Sequence, residues 1–217
     1  MCIALDMDDT LYLERDYVRS GFRAVDEWLA AHYDFNGFFQ EAWRLFESGA
    51  RGTIFDHVLE TRDIHDSQII QKMVNVYRRH EPDIQLLPDA RRFLEKFDKT
   101  NLALITDGPA VSQWAKINAL NLENHIGLII VTENLGAGCG KPSSQAYLKA
   151  QGGCDPSSCI YIGDNPRKDF QGPKSLNWKP SIRIRRVGSL HYDQPTPADC
   201  TEINSFDELP GNQILAV

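Results

Sequence analysis

The chain has 217 residues, of which 42% are apolar and 24% charged, with a net charge of −7. That balance suits an ordinary globular protein with room for one domain and an insertion, and it disfavours a nucleic-acid or anionic-membrane surface, which needs a basic patch. The five cysteines are odd in number and form no CxxC pair, so a reduced, cytoplasmic setting is expected. No charged-then-apolar leader precedes Cys2 and no apolar stretch approaches ~20 residues, so neither a signal peptide nor a membrane span is expected.

The first apolar run, Cys2 to Leu5, ends at Asp6, Asp8 and Asp9. It reads as a strand buried on both faces, as in a parallel sheet, although periodicity alone leaves a helix open. As a strand it places Asp6 at its carboxyl end, where open α/β sheets hold ligands, and Asp6 and Asp8 on one side. Two carboxylates aimed into one site need a cation, a proton or solvent.

Residues 12 to about 85 change character, with aromatic and apolar residues at helical spacing: Phe22, Val25, Leu29, then Phe38, Ala42, Phe46, then Ile69, Met73, Val74, Tyr77. Four or so helices without a strand are expected, their aromatics forming a core. After Pro82, Leu87-Pro88-Asp89 opens a helix whose buried face is Phe93, Leu94 and Phe97. Leu102–Ile105 reads as a second strand ending at Thr106-Asp107-Gly108-Pro109, followed by a helix through Trp114, Ile117 and Leu120. Further strands are expected at Leu128–Val131, at Cys159–Ile162 running into Gly163-Asp164, and, more weakly, at Ser181–Ile184; Gly140-Lys141-Pro142 precedes a helix over Ser143–Ala150. The short basic group Arg183-Ile-Arg185-Arg186 is read as a strand end. Strands alternating with helices predict a parallel sheet covered on both faces. The helical insertion, placed between the first strand and its crossover, is expected to act as a lid over the strand ends.

Polar residues suited to one site therefore end three strands: Asp6 and Asp8, Thr106, and Asp164 with Asp169. With them the sequence resembles the haloacid dehalogenase (HAD) superfamily. Asp6, Asp8 and Thr10 match its DxDxT motif, Thr106 its second motif, Lys141 its third, and Gly163-Asp164 through Asp169 the GDxxxxD form of its fourth. The four occur in the superfamily's order, and the tail from Pro197 to Leu209 resembles its closing strand and helix. The resemblance implies a Rossmann-like α/β core over residues 1–12 and 86–217, with an α-helical cap of the C1 class over 13–85, like that of phosphoglycolate-phosphatase-like members. Asp107, where many relatives have Asn, and Pro173, where Ala is common, depart from the pattern.

The resemblance further implies a magnesium-dependent phosphatase acting on a small phosphorylated metabolite. Asp6 would be the nucleophile, giving an aspartyl phosphate; Mg2+ would bind Asp6, the backbone carbonyl of Asp8, and Asp164. Lys141, Thr106, Asp107 and Gly108 would hold the phosphate, the last two through backbone N–H groups. Asp8 would protonate the leaving oxygen and then activate water, which requires it to carry a proton in the first step. Asp169 would be an outer metal partner and Thr10 would order the turn. A phosphomutase or other phosphotransferase uses the same pair of aspartates and stays open. A dehalogenase has no carboxylate at the place of Asp8, and a non-catalytic scaffold is expected to lose one of Asp6, Asp8, Lys141 or Asp164. Taken alone, Thr106 is equally a turn former and Lys141 solvated surface. The glycines before Lys141 do not make a nucleotide P-loop, because that spacing needs Gly at Leu135 and Ser or Thr at Pro142. The six histidines show no zinc-ligand spacing. Arg51, a cation between Gly49 and Gly52, is a candidate substrate contact.

Overall fold

The computed structural model describes residues 1–209. The chain forms two compact units, one made of Met1–Arg15 with the chain from Ile84 onward, the other of Asp16–Asp83. Chain order in the first unit starts with β1 (Cys2–Leu5) and the start of α1 (Glu14–Tyr33). The rest of α1 opens the second unit, followed by α2 (Phe38–Glu47), α3 (Ile54–Glu60) and α4 (Ser67–Arg79). The first unit resumes with α5 (Pro88–Lys96), β2 (Leu102–Thr106), α6 (Ala110–Ala119), β3 (Leu128–Val131), α7 (Gln145–Gln151), β4 (Cys159–Gly163), α8 (Gln171–Ser175), β5 (Ile182–Ile184) and β6 (Thr201–Ile203).

The six strands make one parallel sheet in the order β3-β2-β1-β4-β5-β6. Every residue of β1, β2, β4 and β5 is buried, which explains why β1, β2 and β4 are near-continuous apolar runs rather than alternating ones; β5 buries Arg183 between two isoleucines. The order reverses between β1 and β4, so the crevice beyond their carboxyl ends is the topological switch point. The sheet contains one strand beyond the five read from periodicity: β6 pairs with β5 at the edge, and only Ile203 of its three residues is buried. The closing helix is a single 3-10 turn, Phe206–Glu208.

The second unit is all helical. Phe22 packs edge-on to Phe38 and Phe55, each 6.0 Å between ring centres, above buried Val25, Ala42, Val58 and Met73. Gly21 is required there, because a Cβ would lie 2.5 Å from the Tyr77 ring. Asp66 starts α4 by accepting a hydrogen bond from the Gln68 N–H at 2.7 Å. No helix of the described residues is long and apolar enough to cross a membrane.

The basic group in and after β5 braces the core. Arg183, 1% exposed, donates to the carbonyls of Asp164, His191 and Gln194. Arg186 donates to the Thr10 carbonyl at 2.8 Å and to Asp89 at 3.0 Å. Asp89 also accepts from Ser205 and from the Phe206 N–H. Burial pushes the Asp89 carboxyl up, but these donors outweigh it and hold it below the usual range. Removing one member of a buried pair leaves the other uncompensated, so Arg186→Ala is expected to cost about 3–5 kcal/mol in urea unfolding; a loss under about 1 kcal/mol, the range of exposed pairs, would contradict this brace.

Candidate active site

Asp6 and Asp164 stand just past the carboxyl ends of β1 and β4, the two strands that flank the switch point, and Thr106 closes β2 beside them. After Asp6 the chain turns sharply: the N–H groups of Thr10 and Leu11 return to the Met7 carbonyl and Asp9 takes a left-handed φ of 55°. Asp9 spans that turn with its side chain, accepting from the Glu14 N–H at 2.8 Å and the Leu190 N–H at 2.7 Å. Thr10 donates its hydroxyl to Asp6 Oδ2 at 3.2 Å, so it both orders the turn and orients the carboxylate.

Lys141, in the segment between β3 and α7, is the positive centre. Its ammonium donates to Asp6 Oδ1, to the Tyr161 hydroxyl at 2.8 Å and to Asp169 Oδ1 at 2.9 Å. Burial would lower the Lys141 ammonium, but Asp169 and Asp6 hold it well above its usual range, so it stays charged. Asp107 lies beneath this segment, its carboxylate accepting from the Lys141 N–H and, at 2.7 Å, from the Thr132 hydroxyl. An acceptor-only side chain cannot bind phosphate directly, so only the backbone N–H of Asp107 suits the phosphate-holding role expected of it.

Carboxylate oxygens of Asp6, Asp164 and Asp169 lie within 4.8 Å of one another, all buried. Asp169 is already engaged by Lys141 and by the Asn165 N–H at 2.8 Å. No donor among the described residues reaches the Asp164 carboxylate. Burial, then Asp6 and Asp169, push its carboxyl well up. Burial likewise pushes Asp6 up to about 7 despite Lys141. A buried all-oxygen set with an unsatisfied carboxylate fits a small hard divalent cation. Gly163 is needed here, since a Cβ would lie 2.6 Å from Asp169 Oδ2.

The cleft, about 100 Å³, is lined by Asp6, Asp8, Asp107 and Asp164, together with Glu14, Asn165, Lys168 and His191. Asp8 is held on its far side. Lys116 reaches Asp8 Oδ1 at 2.7 Å, Tyr12 donates to the same oxygen, and Gln113 donates to Oδ2 at 3.0 Å and to the Thr106 hydroxyl. Burial pushes Asp8 up, but Lys116 and these hydrogen bonds outweigh it and lower its proton affinity. The proton that an acid role requires is therefore not favoured in this arrangement, so that role needs the protonated form to be populated transiently.

Tyr12, Gln113, Lys116, Tyr161 and His191 were not among the candidates. Gln113 and Lys116 are three apart after a Gly-Pro, a polar pair on one helix face, which was the available signal. Of the helix read through Trp114, Ile117 and Leu120, the structure buries Ile117 and Leu120 together with Ser112, Gln113 and Lys116, and leaves Trp114 half-buried. Arg51 belongs to the helical unit, where its guanidinium donates to the Phe46 carbonyl at 2.8 Å and lies 4.1 Å above the Phe46 ring.

The fold and site together define a Rossmann-like protein with a buried carboxylate–lysine centre at its switch point. The sequence profile of the haloacid dehalogenase-like hydrolases matches residues 1–177, and the chain belongs to that family. It is 28% identical to a glyceraldehyde 3-phosphate phosphatase of Methanocaldococcus jannaschii, over 95% of this chain and 94% of that protein. It is also 28% identical to a phosphoserine phosphatase of Thermus thermophilus over 48% of this chain and 43% of that one. Its fold is like that of the HAD-hydrolase YfnB from Bacillus subtilis, solved bound to magnesium, with a TM-score of 0.65, 19% identity, and coverage of 100% of this chain and 98% of that one.

The folded-state Asp6 carboxyl, at about 7, lies above its ordinary 3.8, so the folded state binds more protons between those values and Asp6 stabilises less as pH rises. Asp6→Asn removes that dependence. In chelator, the variant should gain stability relative to wild type as pH climbs from about 4 to about 7; urea unfolding at several pH values reads the sign, and a constant or opposite difference refutes it.

Proposed function

We infer that this chain is a magnesium-dependent phosphatase of small phosphorylated metabolites, working through an aspartyl phosphate on Asp6. The observation that carries the reading is the juxtaposition of Asp6 with Lys141 and Asp164 at the switch point. A carboxylate and a phosphate dianion repel by ~4 kcal/mol per pair of unit charges at 4 Å and an effective dielectric of 20, so the attack needs countercharge. Lys141, paired with Asp6, supplies part of it. Bound between Asp6, Asp164 and the Asp8 carbonyl, magnesium would neutralise phosphoryl oxygens and align them with the nucleophile.

The remaining work falls to the chain's own groups. Asp6, oriented by Thr10, attacks phosphorus in line with the leaving oxygen. The Thr106 hydroxyl and the backbone N–H groups after it hold equatorial oxygens. Asp8 transfers a proton to the leaving oxygen and later takes one from the water that opens the acyl phosphate. Asp169 steadies Lys141. The core of residues 1–12 and 86–217, the helical cap of 13–85, the substrate contact at Arg51 and a cytoplasmic setting belong to the same reading. The glyceraldehyde 3-phosphate and phosphoserine phosphatases among its relatives support a short-chain phosphate monoester as substrate.

The test is phosphate release from p-nitrophenyl phosphate and from a panel holding glyceraldehyde 3-phosphate, phosphoserine and sugar phosphates, each with magnesium or with chelator. Release should require magnesium, and Asp6→Asn should lower kcat by roughly 10³-fold or more. Activity that survives either removal intact would overturn the reading.

A further inference from the structure

We propose that Lys116 and Tyr12, with Gln113, are positioning residues that fix the Asp8 carboxylate so that Oδ2 alone exchanges the proton with the reacting group. The inference rests on the reading of Asp8 as the acid and base of a phosphatase. It starts from a count of lone pairs. A carboxylate oxygen has about two acceptor sites. Asp8 Oδ1 receives both Lys116 and Tyr12, which fills it. Oδ2 receives only Gln113, which leaves it one lone pair.

The three donors are buried as fully as core residues: Tyr12 is 0% exposed, Gln113 2% and Lys116 4%. Burying an ammonium, an amide and a phenol is costly unless each is satisfied. Here all three converge on one carboxylate from two elements, the turn after β1 and the helix α6. Gln113 also donates to the Thr106 hydroxyl. One amide thus sets the distance between the proton-transfer group and a phosphate-holding group. Gly108 makes room for it, because a Cβ there would meet the Gln113 side chain at 3.2 Å. Two donors from different elements on Oδ1 stop the carboxylate from rotating, so its two oxygens cannot exchange roles. A strut that only fastened α6 to the sheet would need no such division between the oxygens.

The experiment separates positioning from structure by leaving-group dependence. Wild type, Lys116→Met, Tyr12→Phe and Asp8→Asn are each assayed with magnesium on aryl phosphates ranging from p-nitrophenyl to p-methoxyphenyl phosphate. The quantity read is kcat/KM, which reports the step that expels the phenol. A good leaving group needs little proton assistance and a poor one needs much. Lys116→Met is expected to lose roughly 10-fold or more beyond its loss on p-nitrophenyl phosphate when assayed on the p-methoxyphenyl ester, with Tyr12→Phe shifted in the same direction by less. Tyr12→Phe removes one hydroxyl and keeps the inference testable if Lys116→Met fails to fold. Equal losses across the series in the folded variants, or no loss, overturn the inference while Asp8→Asn still discriminates between esters. If Asp8→Asn itself loses equally on every ester, the acid role of Asp8 fails and the positioning role fails with it.

Discussion

The Lys141 side chain, 1% exposed, stands among carboxylates that could not share one site without it. Asp6, Asp164 and Asp169 converge because three parallel features deliver them: the end of β1, the end of β4 and the loop that follows β4. Each pair of like charges there repels by several kcal/mol at any plausible interior dielectric. One ammonium offsets part of that and leaves Asp164 without a donor among the described residues, its carboxyl pushed well up by burial and by Asp6 and Asp169. The three carboxylates are an oxygen set that would suit a hard cation. The lysine is itself held from below, since Asp107 grips its backbone N–H and Tyr161 its head. The charge at the centre is therefore fixed in place before any ligand arrives, the condition under which electrostatic stabilisation costs no reorganisation.

Much of this was legible in the chain. Uninterrupted apolar runs located β1 to β4, because a strand covered on both faces has no polar alternation to hide. The polar residue that stops each run then marks where the switch-point crevice must be. Asp6, Thr106, Lys141, Asp164 and Asp169 all follow from that logic and from the motif order. What was hidden depends on tertiary reach. β6 is three residues with two exposed, too short for any period, and only the tail's resemblance to the family's closing strand pointed to it. On α6, the apolar spacing of Trp114, Ile117 and Leu120 marked the helix but gave no sign that Gln113 and Lys116 are buried beside it. A buried lysine is recognisable only once its carboxylate partner, more than a hundred positions away, is seen beside it. The cations of 183–186 read simply as a strand end, yet Arg183 and Arg186 are buried and donate to backbone carbonyls and, for Arg186, to Asp89.

Asp8 shows how one residue can be held for two conditions. Lys116, Tyr12 and Gln113 stabilise it as an anion in the structure. A phosphate dianion entering the cleft is a like charge, which raises the proton affinity of any neighbouring carboxylate. In the proposed phosphatase reaction, the group that would give a proton is thus biased toward carrying one by the arrival of the substrate.

The hydrogen bonds of Asp9 join two stretches that are 181 positions apart, the turn carrying Asp6 and the loop at Leu190. His191, on that same loop, lines the cleft. The length of the segment between β5 and β6 is therefore not neutral filler. Shortening or lengthening it would pull on a left-handed residue three positions from Asp6, so a chain that varied this segment would have to re-anchor the turn by other means, and the freedom to diversify the loop is bounded by the rigidity of the carboxylate centre.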